Sequence, residues 1–98
     1  MIVEFQAELW LWAARPDEGW TFVSLPVDES AEIKEFTAGP RRGFGAVRVE
    51  ARIGTTVWRT SIFPDASRGC YLLPVKRAVR KAEKVEAGDA ARVIVEVL

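Results

Sequence analysis

Tyr71-Leu72-Leu73-Pro74 leads into a run of cations, Gly88-Asp89 ends that run, and Val93-Ile94-Val95-Glu96-Val97 follows. Read as strand, helix, turn and strand, this stretch decides the fold class. Pro74 suits the first turn of a helix, where its missing N–H costs nothing. Val75, Ala78, Val79, Ala82 and Val85 recur on one side of a helical projection, while Lys76, Arg77, Arg80, Lys81 and Lys84 occupy the other. In the closing segment, residues 91–98, Val93, Val95 and Val97 alternate with other residues. That is the period-two signature of a strand with one buried face.

A similar series precedes it. Phe22-Val23-Ser24-Leu25-Pro26 is followed by a short helix over residues 28–36 with Asp28, Glu29 and Glu32 near its positive end. A glycine loop and Val47-Arg48-Val49-Glu50-Ala51 complete the series. The Leu-Pro pairs are 48 residues apart and the strands 46 apart, a two-residue indel. Two readings stand: duplication of a unit (residues 20–53 and 70–98), or chance recurrence of a common arrangement. Duplication predicts an internal pseudo-two-fold repeat.

Further out, Val3, Phe5, Ala7, Leu9 and Leu11 alternate with Glu4, Gln6 and Glu8, giving a first strand. Trp10 and Trp12 make its second face aromatic, so its far end is expected to be covered on both sides. A turn over 15–19 joins it to an antiparallel partner at 20–25. The strand at 47–53 turns at Gly54-Thr55 into another at 56–63, and a turn at 64–69 precedes a short strand at 70–73. The expectation is a mainly β single domain, residues 1–98. About six strands form a small closed barrel with two short helices at its corners.

The second half, with its Leu73-Pro74, basic helix, Gly88-Asp89 and valine strand, resembles the swapped-hairpin unit of AbrB-type and MazE-type regulators. In those proteins two such units interlock as a dimer. End to end, the chain is similar to a bacterial and archaeal family known as domain of unknown function nineteen-oh-five. The similarity runs through Phe5-Gln6-Ala7, residues 20–26, residues 58–64, residues 71–82 and Gly88-Asp89. It implies a double-split β-barrel and no established activity.

Composition narrows function. The 14 basic and 14 acidic residues cancel, so no global field draws nucleic acid or a membrane surface. No apolar run is long enough to span a bilayer. Histidine is absent, which removes the commonest general base and metal ligand. The one cysteine, Cys70, permits neither an internal disulfide nor a thiolate cluster. Residues 2–13 carry Glu4, Gln6 and Glu8 with no basic segment before them, so a secretory leader is not expected. A cytoplasmic location is the expectation, and a lone thiol suits a reducing compartment.

Four sets of side chains are candidates for function. Arg80 and Lys81, central to the basic helix face with Arg68 nearby in sequence, either contact phosphates or form a solvated face balanced by the acidic first helix. Arg41 and Arg42, in the loop at 39–45, are a weaker possible anion contact that fits no phosphate-binding fingerprint. Arg59 and Ser61 share a strand face with Val57 and Phe63. That face either lines a pocket able to hold a carboxylate or phosphate, or is simply the outside. Trp10, Trp12, Trp20 and Trp58 either pack the core or form a binding or dimer surface.

Cys70 reads as a small buried hydrophobe. Ser61 has no histidine to activate it, and Lys76 and Lys81 lie on the charged side of the helix, which gives no cause for Schiff-base chemistry. No catalytic residue, metal site or cofactor is expected. The leading expectation is a non-enzymatic binding or interaction domain for an unknown small ligand or protein, as a monomer or weak dimer. The alternative is an AbrB-like nucleic-acid-binding domain, for which specific binding is not expected.

Overall fold

The computed structural model describes residues 1–14, 16–38 and 45–98. They form seven strands and two α-helices: β1 (Ile2–Glu8), β2 (Trp10–Leu11), β3 (Thr21–Ser24), α1 (Val27–Phe36), β4 (Val47–Ile53), β5 (Thr56–Asp65), β6 (Cys70–Pro74), α2 (Arg77–Glu83) and β7 (Ala90–Val97). Residues 16–18 add a single 3-10 turn. All strands join one antiparallel sheet in the order β1-β7-β4-β5-β6-β3-β2.

Two chain segments carry the sheet from one half to the other. The first is broken at Leu9: residues 2–8 pair with β7 and residues 10–11 with β3. At the break the Leu9 N–H donates to the Asp89 carbonyl at 2.9 Å, and the Gly88 N–H donates to the Leu9 carbonyl at 2.8 Å. The second segment is β5, whose residues 56–62 pair with β4 and whose residues 63–65 pair with β6. The result is two four-stranded halves. Half A is β1, β7, β4 and the start of β5; half B is the end of β5, β6, β3 and β2.

The expected closed barrel is therefore corrected. β1 and β2 end the strand order and are consecutive along the chain, but no ladder joins them, and the sheet is a curled half-barrel. The break at Leu9 also explains why seven strands replace about six.

The inner face carries the core. Val49, Ala51, Val93 and Val95 of half A and Val23 and Leu73 of half B are wholly buried, with Ile33 of α1 and Val79 of α2 packed on them. Trp58 sits opposite Ala51, so a large ring meets a small partner across the ladder. Arg48 and Arg52 point out and Glu50 is half-buried, as the alternation in β4 requires.

α1 begins directly after Pro26, with Asp28 and Glu29 in its first turn. Its buried Ser30 hydroxyl accepts the Tyr71 N–H at 3.0 Å and ties the helix to β6. α2 is shorter than its apolar periodicity suggests. Val75 is buried, but its N–H donates to the Thr21 carbonyl, which continues the β3–β6 pairing. Ala78 and Ala82 are exposed, and Lys84 takes a left-handed conformation that ends the helix. Glu83 accepts a hydrogen bond from the Thr56 hydroxyl and fastens α2 to the β4–β5 turn.

Candidate functional site

The outward face of half B is built by the same alternation that fills the core. Inward, Thr21, Val23, Tyr71 and Leu73 are buried. Outward, Trp10 lies opposite Phe22, Phe22 opposite Pro74, and Phe63 opposite Leu72. Trp12 and Trp20 extend the face beyond the ends of β2 and β3, joined by the Trp12 N–H donating to the Trp20 carbonyl at 2.8 Å. Together these side chains border a cleft of about 550 Å³.

The rings pack against one another and remain open to solvent. Trp10 and Phe22 lie 5.3 Å apart between centroids, Trp20 stacks on Phe22 at 6.4 Å, and Trp12 meets Trp20 edge-on at 6.4 Å. Trp12 is 41% exposed, Trp20 51% and Phe63 46%. The expectation that the far end of the first strand is covered on both sides is thus overturned. Of the four tryptophans only Trp58 is a core residue, because among the described residues no further layer packs over half B at this face.

Most polar groups around the cleft have partners. The Trp10 indole N–H donates to the Ser24 hydroxyl at 3.0 Å, and that of Trp20 donates to the Glu18 carboxylate at 3.1 Å. Arg68 lies over Trp10, 4.3 Å from the ring centroid, and pairs with Asp65 at 2.6 Å. The Ser67 hydroxyl and then the Arg68 guanidinium hydrogen-bond to Asp65 and lower its carboxyl from 3.8 to about 2. Its negative charge is therefore permanent near neutral pH.

The residues singled out from the sequence lie elsewhere. Arg59 and Ser61 do share a face, but it is the outward face of half A. Arg59 pairs with Glu50 at 3.4 Å, and Ser61 accepts a hydrogen bond from Arg48 at 3.4 Å. Neighbouring Val57 is half exposed.

Arg80 and Lys81 border a shallow depression of about 450 Å³ with Arg77, Asp17, Glu18 and Glu86. The Arg80 guanidinium folds back to donate to the Val75 carbonyl at 3.1 Å and the Gly19 carbonyl at 3.5 Å, so the cations do not form one free stripe. Arg41 and Arg42 lie outside the described residues. A larger hollow of about 770 Å³ lies between α1 and the β5–β6 turn, and Cys70, buried, lies in its wall.

A family profile matches residues 5–95, which includes every residue of the aromatic face. The chain belongs to the family described as Domain of unknown function (DUF1905). No curated protein matches it. In this DUF1905 domain a sequence signal for the face did exist. Trp10 and Trp12 have the parity of Glu4, Gln6 and Glu8, the solvent side of the strand, and Trp20 and Phe22 have the parity opposite to buried Thr21 and Val23.

Proposed function

We propose that this domain is a non-enzymatic binding module whose binding surface is the aromatic face of half B. The observation that carries the reading is the openness of that face. Contiguous apolar surface left uncovered on a small domain marks an interaction site far more often than scattered single hydrophobes do. Catalysis lacks support from the chain's chemistry: it has no histidine, and the Asp65 carboxyl is shifted away from the range a general acid needs. No described helix is long and apolar enough to cross a membrane. A cytoplasmic, monomeric or weakly dimeric protein is the form we propose.

Binding through Arg59 and Ser61 or through Arg80 and Lys81 is the less supported version, because each of these arginines already has a partner. The nucleic-acid reading is weaker again, since Asp17, Glu18 and Glu86 share the depression of Arg80 and Lys81. The proposed two-unit organisation draws support from the strand register. Ser24 pairs with Leu72 and Glu50 with Glu96, residue spacings of 48 and 46 that equal the two offsets of the sequence repeat.

A ligand screen read at the indole N–H signals of isotope-labelled protein tests the binding reading. Peptides, saccharides and nucleotides form the library. We expect the active compounds to move Trp12 and Trp20 and leave Trp58 still. Ligands that instead move only the backbone of β4 and β5, or of α2, would transfer the site to the arginines.

A further inference from the structure

We infer that the occupant of the aromatic face is a proline-rich segment in the polyproline II conformation. This rests on the binding reading above and narrows it by charge, hydrogen-bond supply and ring contact.

Charge comes first. Among the described residues the cleft holds one cation and one anion, Arg68 and Asp65, joined at 2.6 Å. A phosphate backbone or a strongly charged peptide finds no uncompensated partner there. The complementary ligand is neutral where it touches the rings.

Hydrogen-bond supply comes second. The indole N–H groups of Trp10 and Trp20 are committed to Ser24 and Glu18. Among the described residues the Trp12 indole N–H has no partner, although the ring is 41% exposed. Asp65 is engaged by Ser67 and Arg68. The face thus offers a donor, while its side-chain acceptors are already in use.

A saccharide brings hydroxyl donors that need acceptors. A second copy of this face brings another Trp12 donor and would leave two N–H groups buried together, which is costly. A proline-rich segment brings backbone carbonyls and almost no N–H groups, so it is an acceptor-only ligand.

Ring contact comes third. Trp12 is 41% exposed and Trp20 51%, and pyrrolidine rings pack well on open aromatic surfaces, as proline-rich segments do in aromatic-lined grooves, while a carbonyl meets the Trp12 indole N–H. The segment is already extended when free, so docking orders little new chain.

The test is a titration of the whole labelled domain with acetyl-decaproline, followed at the four indole N–H signals. A glycine–serine decapeptide, a ten-nucleotide oligothymidylate and cellohexaose serve as comparison ligands. We expect saturable shifts of Trp12 and Trp20 with decaproline alone, and a stationary Trp58.

Trp20→Ala should weaken binding at least tenfold, as loss of a central aromatic contact does. Trp12→Phe keeps a ring, removes the donor and should weaken binding about fivefold. An unchanged Trp58 signal in each variant establishes that it is folded. Should Trp20→Ala fail to fold, Trp12→Phe still decides.

No response to decaproline, with shifts of Trp12 and Trp20 by the oligonucleotide or the saccharide, overturns the proline-rich ligand and leaves the binding face standing. Shifts that depend on protein dilution alone assign the face to a second copy and overturn it too. Silence with all ligands and at all dilutions overturns both this inference and the binding reading.

Discussion

Half A and half B have the same kind of inward face and opposite outward faces. In half A the outward positions carry Glu4, Arg48, Glu50, Arg52, Arg59 and Arg92, and cross-strand pairs link them: Arg59 to Glu50 at 3.4 Å and Arg92 to Glu4 at 3.0 Å. Charged groups dominate that surface, with Ile2 and Val57 as its exposed apolar members. In half B the outward positions carry aromatic rings, Leu72 and Pro74, and the ion pair of Arg68 with Asp65 lies at the edge. One alternation rule built both halves. Polarity distinguishes them, and the apolar outward face of half B is the one we propose as a binding surface.

The sharpest way to break this comparison is to truncate one tryptophan from each environment. Trp58→Ala, in the core of half A, should cost about 3–5 kcal/mol because it leaves a cavity. Trp20→Ala, on the open face of half B, should change stability by less than about 1 kcal/mol. Urea unfolding measures both. Equal losses would mean that the aromatic face is a second core rather than an exposed surface.

The turns of the two halves supply a smaller contrast. Gly54 and Gly69 both have positive φ, +58° and +67°. Alanine at either should cost about 1–2 kcal/mol of backbone strain. At Gly54 the added methyl also meets the Glu83 carboxylate, whereas at Gly69 nothing lies within 4 Å. Gly54→Ala should therefore cost more than Gly69→Ala, and adding Glu83→Ala to both backgrounds should shrink the difference. Equal costs in the Glu83 background would show that the carboxylate moves aside freely.

The solvated face should matter least. Arg59→Ala and Arg92→Ala remove exposed ion pairs and should each shift stability by about 0–1 kcal/mol, less in high salt. A larger loss would mean that half A's charges hold its strands together.

Acid offers a last distinction within half B. Folding lowers the Asp65 carboxyl to about 2 from 3.8, so its stabilising contribution is present above pH 3.8 and is lost as pH falls through about 2. A carbon-detected titration of Asp65 should show the low midpoint. Ser67→Ala should raise it, since the Ser67 hydroxyl is the largest cause of the shift. A midpoint near 3.8 in the unmodified protein would remove the ordered ion pair from the edge of the cleft.

Much of this was legible without coordinates because strand alternation is local. The pattern Val47-Arg48-Val49-Glu50-Ala51-Arg52-Ile53 specified β4 and its two faces, and the same reading placed β7 and its buried valines. Proline and the acids of the first turn placed α1. Resemblance along almost the whole chain pointed to the family.

Other features depended on neighbours distant in sequence. No residue near Leu9 announces that the first strand leaves β7 for β3, because the reason is the position of Gly88 and Asp89. The shortened α2 follows from Val75 bonding to Thr21, a contact across the sheet that no helical periodicity reports. The tryptophans show the division most clearly. Their parity put Trp10 and Trp12 on the outward side of a strand, but parity is a property of one strand and cover is a property of the whole fold. Only the tertiary structure decided that no layer of the described residues packs over them, and so left an aromatic surface open to solvent.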